Sequence, residues 1–177
     1  SVLINLAIMP VSAIFTALTL YIVPKIEPLQ ENLLQSRRAY SLVWVLVMAL
    51  YVGVAAMIAR SYSLSADANL TVSPKYIVVG ISILFIGMGN VMGKVRQNFM
   101  FGIRTPWTLS SKLAWHRTNR LASRLYVLHG FFFVVAGLLS KAVLLTSSVI
   151  SLVVCSLVVL PIYSYLLWKS DANRSTG

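Results

Sequence analysis

Long runs of uncharged, apolar residues constrain the fold of this chain most. Residues 40–59 and 76–93 carry no charge, and residues 2–23, 125–145 and 149–168 are almost as apolar. A helix of about 20 residues crosses a hydrocarbon core of about 30 Å. With only 11% charged residues, the chain cannot cover the surface of a soluble domain, in which about a quarter of the residues are charged. The sequence predicts an all-α, polytopic transmembrane bundle with five spans and a single domain.

The boundaries of these spans follow from proline, charge and length. Pro24 and Pro28 end the first run, because proline disfavours helical geometry in the residue before it. The turn between the last two spans has two possible positions, at Lys141 or at residues 146–148. The second position gives two spans of nearly equal length, with Lys141 extending to the interface. We therefore predict a turn at 146–148.

The segments that connect the five predicted spans lie alternately on the two sides of the membrane, and the basic residues are distributed unequally between these sides. The loops 24–39 and 94–124 and the C-terminal tail hold twelve of the fifteen Lys and Arg residues, whereas the opposite side has Arg60, Lys75 and Lys141. Cytoplasmic loops carry the excess of basic residues in membrane proteins. The sequence therefore predicts a plasma-membrane protein with both loops and the C-terminus in the cytoplasm. We expect the basic residues to meet anionic lipid headgroups and not nucleic acid directly.

Residues 94–124 are the longest polar interruption of the apolar pattern. Seven basic residues and no acid lie in this segment: Lys94, Arg96, Arg104, Lys112, Arg117, Arg120 and Arg124. From Lys112 onward, basic residues recur every fourth position through His116 to Arg124 on one face of a helix, and Thr118 and Ala122 lie on another. This pattern predicts a basic amphipathic interfacial helix that leads directly into the fourth span.

Arg104 lies at the centre of the same segment, between Phe101 and Trp107. Gly102 permits a tight or left-handed turn, and Pro106 requires an extended residue before it. Arginine offers five donors in a rigid fork and stacks on aromatic rings. We therefore expect Arg104 to bond carbonyl groups or an acid, to stack near Phe101 or Trp107, and so to organise the loop. In the other loop, Glu27 or Glu31 is expected to lie near a basic residue of 94–124, because an acid near the headgroups is better placed next to a cation.

A contiguous motif in this segment resembles the signature of the SdpI family. It comprises Phe101, Gly102, Ile103, Arg104, Thr105, Pro106, Trp107, Thr108, Leu109, Ser110 and Ser111, followed by Trp115 and Arg120. The resemblance continues in the first loop at Pro24, Glu27, Pro28 and Glu31. Further agreement at 89–90 and 161–165 extends it over almost the whole chain. These motif and loop residues are the candidate partner-binding site.

The resemblance implies a function that composition alone does not show. The founding member of the family is a bacterial immunity protein that protects a cell from a secreted peptide toxin. It also holds the repressor of its own operon at the membrane when toxin is present. For this chain, the resemblance implies a peptide toxin as the outside partner and a repressor protein, bound through residues 94–124, as the inside partner.

Two departures from the family pattern bear on these expectations. Typical members begin with one further span and an extracellular segment, so an upstream piece is expected to precede Ser1. Many members also carry acids directly after the position of Ser111, where this chain has Lys112 and Leu113. An acid there would complement the helix dipole, so the helix start is less favourable here.

Other functions remain open from the residues alone. A small transporter or channel would use intramembrane ionisable groups, and His129 is the one candidate, although an interhelical hydrogen bond is the commoner role. A membrane enzyme is the least favoured alternative, because two histidines, one cysteine and four acids suggest no catalytic or metal cluster. No cofactor is expected. Gly89 and Gly93 form a GxxxG pair, which predicts close helix packing within the monomer in preference to a dimer seam.

Overall fold

The computed structural model describes residues 2–63 and 74–174, with side chains for 8, 10–60 and 75–174. This part of the chain is helical and contains no strand, which confirms the all-α prediction. Its α-helices are α1 (Val2–Ile22), α2 (Gln30–Gln35), α3 (Arg37–Ser63), α4 (Pro74–Met92), α5 (Pro106–Ser110), α6 (Lys112–Leu138), α7 (Ala142–Val154) and α8 (Leu160–Ser170).

Four helical segments of this part are long and apolar enough to cross a bilayer. They are Arg37–Arg60, Lys75–Met92, Lys112–Leu138 and Ala142–Ser170. The apolar stretch Pro10–Lys25 is shorter. The last long segment is one continuous helical rod, because a π-helical turn over Cys155–Val159 joins α7 to α8. Pro161 lies two residues after the end of this turn. Proline cannot donate a backbone hydrogen bond, and π-turns and prolines are the usual places where a helix bends.

The closest helix contact is between α4 and α6, and glycine makes it possible. A Cβ added at Gly89 would lie 2.8 Å from the backbone oxygen of Ser123 and 2.8 Å from the backbone nitrogen of Val127. A Cβ at Gly130 would lie 3.0 Å from the Ser82 oxygen. The two backbones therefore touch at positions that only glycine allows. The GxxxG pair does pack within the monomer, as predicted.

The loops 24–39 and 94–124 and the end of α8 lie together on one side of the helices. We call this side the basic side. Asn32 in α2 donates to the Gln97 carbonyl at 2.9 Å, and the Ser36 hydroxyl accepts from the Arg96 N–H at 3.0 Å. At the end of α8, Asp171 accepts from Ser111 at 2.5 Å. The segments that the charge distribution assigns to one side of the membrane therefore contact one another.

The predicted turn at 146–148 is wrong, because these residues lie within α7. The chain turns instead at 139–141, where Ser140 has a φ of 52°. The Lys141 N–H bonds to the Ala136 carbonyl at 3.3 Å and the Ser140 N–H to the Gly137 carbonyl at 3.3 Å. These bonds form a Schellman cap, which usually has glycine at the left-handed position.

Arg120 and Arg124 explain why the span length was misjudged. Gly93, just past the end of α4, packs against the Arg120 backbone, since a Cβ added there would lie 3.4 Å from its Cα. A span that is counted from residue 125, the first residue after Arg124, therefore begins too far along α6. Arginine extends its guanidinium toward the headgroups from within the last turn of a span, so α6 crosses the membrane and still ends at Leu138.

The cap at Ser140 can be tested by substitution with glycine. A left-handed conformation costs an L-residue about 1–2 kcal/mol, so Ser140→Gly should raise the thermal midpoint in detergent micelles by about 2–4 °C per kcal/mol gained. Ser148→Gly is the matched control. It should lower the midpoint, because glycine in a helix interior is less favourable by roughly 0.5–1 kcal/mol. A lower midpoint for Ser140→Gly together with a higher midpoint for Ser148→Gly would indicate that the turn lies at 146–148.

Candidate functional site

The irregular segment between α4 and α5 is folded around the side chain of Asn98. This residue is fully buried. Its Oδ1 accepts hydrogen bonds from the N–H groups of Met100, at 2.8 Å, and Phe101, at 2.7 Å. Its Nδ2 donates to the Arg96 carbonyl at 2.7 Å. Asparagine commonly organises turns in this way. One side chain therefore sets the direction of the backbone that leads to Arg104.

The first loop and α2 hold the outer side of this segment. The buried carboxylate of Glu27 accepts from the Phe99 N–H at 2.8 Å and from the Leu29 N–H at 3.4 Å. The hydrogen-bond partners of this acid are backbone amides, and the expected proximity of Glu27 or Glu31 to a basic residue of 94–124 stays a prediction. Together with Asn32 and Ser36, Glu27 provides hydrogen-bond partners for backbone groups of the loop, which has no helix or strand to pair them.

The motif's second half forms the short helix α5, with caps that the sequence specifies. Thr105 is extended, with φ −104° and ψ 160°, and its hydroxyl accepts from the Thr108 N–H at 3.2 Å. The Thr108 hydroxyl accepts in return from the Thr105 N–H at 2.9 Å. Pro106 occupies the first turn, where its missing N–H costs nothing. Across the bundle, the Thr105 and Ser164 hydroxyls lie 3.0 Å apart. The motif is therefore tied to α8.

Gln97 holds α5 from the opposite direction. Its Nε2 donates to the Thr108 carbonyl at 2.8 Å and also to the Leu109 carbonyl. These are carbonyls of the last turn of α5, which have no partner within so short a helix. The start of the loop and the end of the motif are thereby joined through one amide.

Side chains of α6 contact the motif around Gly102. The Ile103 N–H donates to Asn119 Oδ1 at 2.7 Å, and the buried Trp115 donates its Nε1–H to the Val95 carbonyl at 2.8 Å. Gly102 has a φ of 122°, and a Cβ added to it would lie 2.6 Å from Asn119 Oδ1. Glycine is required here both for the backbone conformation and for the space.

The side chain of Arg104 is exposed and its guanidinium donates to the Phe99 carbonyl. This bond closes the loop from Phe99 to Arg104. It agrees with the expectation that the arginine bonds a carbonyl. Trp107 lies on the other side of the motif, where its ring meets Tyr165 edge-on at 5.3 Å. Phe101 and Ile103 pack on the core formed by Met92, Ala122 and Leu160.

The first half of α6 presents the predicted basic face. Five side chains along it are exposed: Lys112, His116, Arg117, Arg120 and Arg124. Ala114, Thr118 and Ala122 on the opposite face are fully buried. Because this half continues without a break into the membrane-spanning half, the predicted connection between the basic helix and its span is confirmed.

Asp171 supplies an acid at the start of α6, where the sequence has none. The Ser111 hydroxyl caps α6 by accepting from the Ala114 N–H at 2.9 Å, and it donates to Asp171 Oδ2 at 2.5 Å. This hydrogen bond, the Asn173 N–H and the charge of Arg174 together hold the pKa of Asp171 below its ordinary value. A carboxylate beside a helix N-terminus is favourable. Asp171 provides this carboxylate, because Lys112 and Leu113, the first residues of α6, are not acidic.

The structure brings the motif together with Glu27 of the first loop, but it leaves other predicted residues at the edge. Pro28 and Glu31 are exposed, and Pro24 lies in a short 3-10 turn, Val23–Lys25. His129 bonds the Leu125 carbonyl at 2.7 Å and the Ser151 hydroxyl at 3.1 Å, which is the interhelical role that was considered more common. Sequence reasoning missed Gln97, Asn98, Asn119 and Asp171. An asparagine just ahead of a glycine turn was an available signal for Asn98.

These features define a polytopic α-helical membrane protein with a fixed, basic loop at one end of its bundle. Residues 94–165 match the family described as the SdpI/YfhL protein family. Over 170 residues, the chain is 28% identical to the Immunity protein SdpI of Bacillus subtilis (strain 168), and the alignment covers 94% of this chain and 75% of that protein. No solved structure matches the chain. The resemblance to the SdpI family is confirmed.

Gly102 is the position at which the geometry predicts the clearest effect of a substitution on stability. Gly102→Ala should destabilise the protein by about 1–3 kcal/mol, because alanine is strained at a positive φ and its Cβ would meet Asn119. Gly53→Ala is the matched control, since a Cβ at Gly53 in α3 meets nothing within 4 Å. It should be neutral or stabilising by up to about 1 kcal/mol. Thermal midpoints in detergent would be compared, and equal shifts in both variants would contradict the close contact.

The Ser111–Asp171 hydrogen bond predicts a pH effect. Because the pKa of Asp171 is lower in the folded protein than in the unfolded chain, its contribution to stability is present above the unfolded pKa of about 3.9 and is lost as the pH falls through the folded pKa. Carbon-13 NMR of labelled aspartate would measure this pKa, with Asp171→Asn for assignment. Ser111→Gly, which largely preserves capping, should raise the pKa of Asp171, whereas Ser110→Gly should not. Equal values in both variants would remove Ser111 as the cause.

Proposed function

We propose that this protein is an immunity protein of the SdpI type in a bacterial plasma membrane. In this proposal it protects the cell from a secreted peptide toxin, and its 94–124 segment recruits a cytoplasmic repressor. The loops of the basic side and the C-terminus then lie in the cytoplasm, in keeping with their excess of Lys and Arg. The observation that carries the proposal is the fixed, basic motif within the segment that matches the family.

The form of the loop supports a role in protein recognition. Lys94, Arg96 and Arg104 are exposed on the loop, and α6 adds its basic face beside them. The backbone that carries these cations is held by Asn98, Glu27 and Asn119. Cations on a fixed surface attract an anionic partner and determine its orientation, and little ordering entropy is lost when it binds. This combination suits a repressor with an acidic patch.

The helix arrangement also suggests how toxin on the outside would be sensed at the loop. Both α4 and α6 run from the side of Lys75 and Leu138 to the loop itself, and their backbones are in contact along the way. A toxin can change the loop only if it binds two arrangements of these helices with different affinity.

Arg104→Lys tests the motif while preserving its charge. Lysine lacks the planar fork of donors, so we expect normal membrane insertion with reduced toxin protection or reduced repressor recruitment. A loss of about tenfold would correspond to roughly 1.4 kcal/mol. The measurements are survival of cells exposed to toxin and the membrane-bound fraction of a fluorescent repressor. Arg60→Lys, at the far end of α3, is the control and should behave as wild type. If Arg104→Lys is also unchanged in both measurements, the arginine has no functional role in the motif.

A further inference from the structure

The first turns of α3 carry an arrangement that the immunity function does not use. Arg37, Ser41 and Val45 are spaced four residues apart, and Arg38 and Leu42 follow the same spacing beside them. Residues at this spacing share one face of a helix. The face therefore has two guanidinium groups at its end, a hydroxyl one turn below them, and aliphatic side chains below that.

This end of α3 lies at the aqueous boundary of the basic side. Ser36, directly before the helix, bonds the Arg96 N–H of the central loop at 3.0 Å. Arg37 and Arg38 are exposed, and so are Leu42 and Val45 below them. Along the helix axis, the order is thus cation, hydroxyl and hydrocarbon. A phospholipid presents its phosphate, glycerol and acyl chains in the same order.

Two grooves flank the ridge that Ser41 and Val45 form. One is a shallow, open groove on the surface of α3 alone, with a volume of about 510 Å³, and is lined by Arg37, Arg38, Ser41, Leu42 and Val45. The other has a volume of about 300 Å³, lies between α1 and α3, and is lined by Leu20, Tyr21, Pro24, Tyr40, Ser41, Trp44 and Val45. Since Ser41 and Val45 line both grooves, a molecule with two hydrocarbon chains could straddle the ridge.

The charges near these grooves favour an anion. No Asp or Glu lines either groove. Glu27 in the preceding loop is buried and bonded to the Phe99 N–H, and Lys25 lies over the Tyr21 ring at 3.8 Å. Within the residues that the structure describes, neither arginine has a carboxylate within ion-pair distance. Arginine binds phosphate with well-defined geometry, and basic residues close to the membrane surface attract anionic headgroups.

We propose that this face of α3 is a specific binding site for an anionic glycerophospholipid. Arg37 and Arg38 bind the phosphodiester, Ser41 donates to the headgroup region, and one acyl chain lies in each groove, against Leu42 on one side and Trp44 on the other. A zwitterionic lipid fits the same grooves but carries an ammonium group, which the two arginines repel. The site therefore selects by headgroup charge.

Quenching of Trp44 by brominated lipid measures this selectivity. The full chain is reconstituted in phosphatidylcholine bilayers that contain increasing fractions of brominated-chain phosphatidylglycerol or brominated-chain phosphatidylcholine. The signal of Trp44 is obtained by subtracting that of Trp44→Phe. We expect the anionic lipid to be preferred by about fivefold or more, given the attraction of each basic residue for anionic lipid. Equal quenching by the two lipids would overturn the site.

Two double variants separate a specific site from general surface charge. Arg37→Gln with Arg38→Gln should reduce the preference to about onefold. Lys112→Gln with Arg117→Gln removes the same charge from the same side of the membrane, outside the grooves, and should leave it unchanged. An equal loss in both would show attraction by overall surface charge only and would refute the proposal. Native mass spectrometry of retained phosphatidylglycerol provides a second measurement that needs no change at Trp44, and retention equal to that of phosphatidylcholine would also refute it.

Discussion

The irregular backbone between α4 and α5 needs hydrogen-bond partners that no regular element provides. At the edge of a membrane, an unpaired buried backbone group costs several kcal/mol, so side chains have to supply what a helix would supply internally. Asn98, Glu27 and Asn119 do this from three different parts of the chain. Two of these bonds also tie the loop to other parts of the chain, through Glu27 to the segment before α2 and through Asn119 to α6. The position of the basic surface therefore depends on a few buried amide and carboxylate groups.

The α4–α6 contact makes these bonds possible. Because the two backbones touch through Gly89 and Gly130, the start of α6 lies directly beside the loop that leaves α4. Trp115 and Asn119, on successive turns of α6, then reach Val95 and Ile103. A larger residue at either glycine would separate the helices and lengthen these bonds together. Helix packing deep in the bundle and loop geometry at its end are thus one structural unit.

Sequence alone predicted the parts of this structure that depend on local periodicity. Apolar runs predicted the helices, the four-residue spacing predicted the basic face of α6, and the glycine pair predicted close packing. The turn at Ser140 was missed because its left-handed cap uses serine in place of glycine, and because Arg120 and Arg124 were counted as outside the span. The roles of Asn119 and Asp171 were missed for a different reason. Their partners are set by how distant segments meet, as Asp171 and Ser111 show, and no local pattern encodes that meeting.

The distribution of buried and exposed polar groups separates two tasks that one loop has to perform. Asn98, Asn119 and Glu27 are buried and hold the backbone, whereas Arg96 and Arg104 are exposed. A buried cation in the same place would need a paired acid, and this chain has only four acids. Asn98 and Asn119 satisfy loop amides with neutral groups, and Arg104 bonds the Phe99 carbonyl while its side chain stays exposed. The full charge of the segment therefore remains at the surface, where an anionic protein or lipid can bind it.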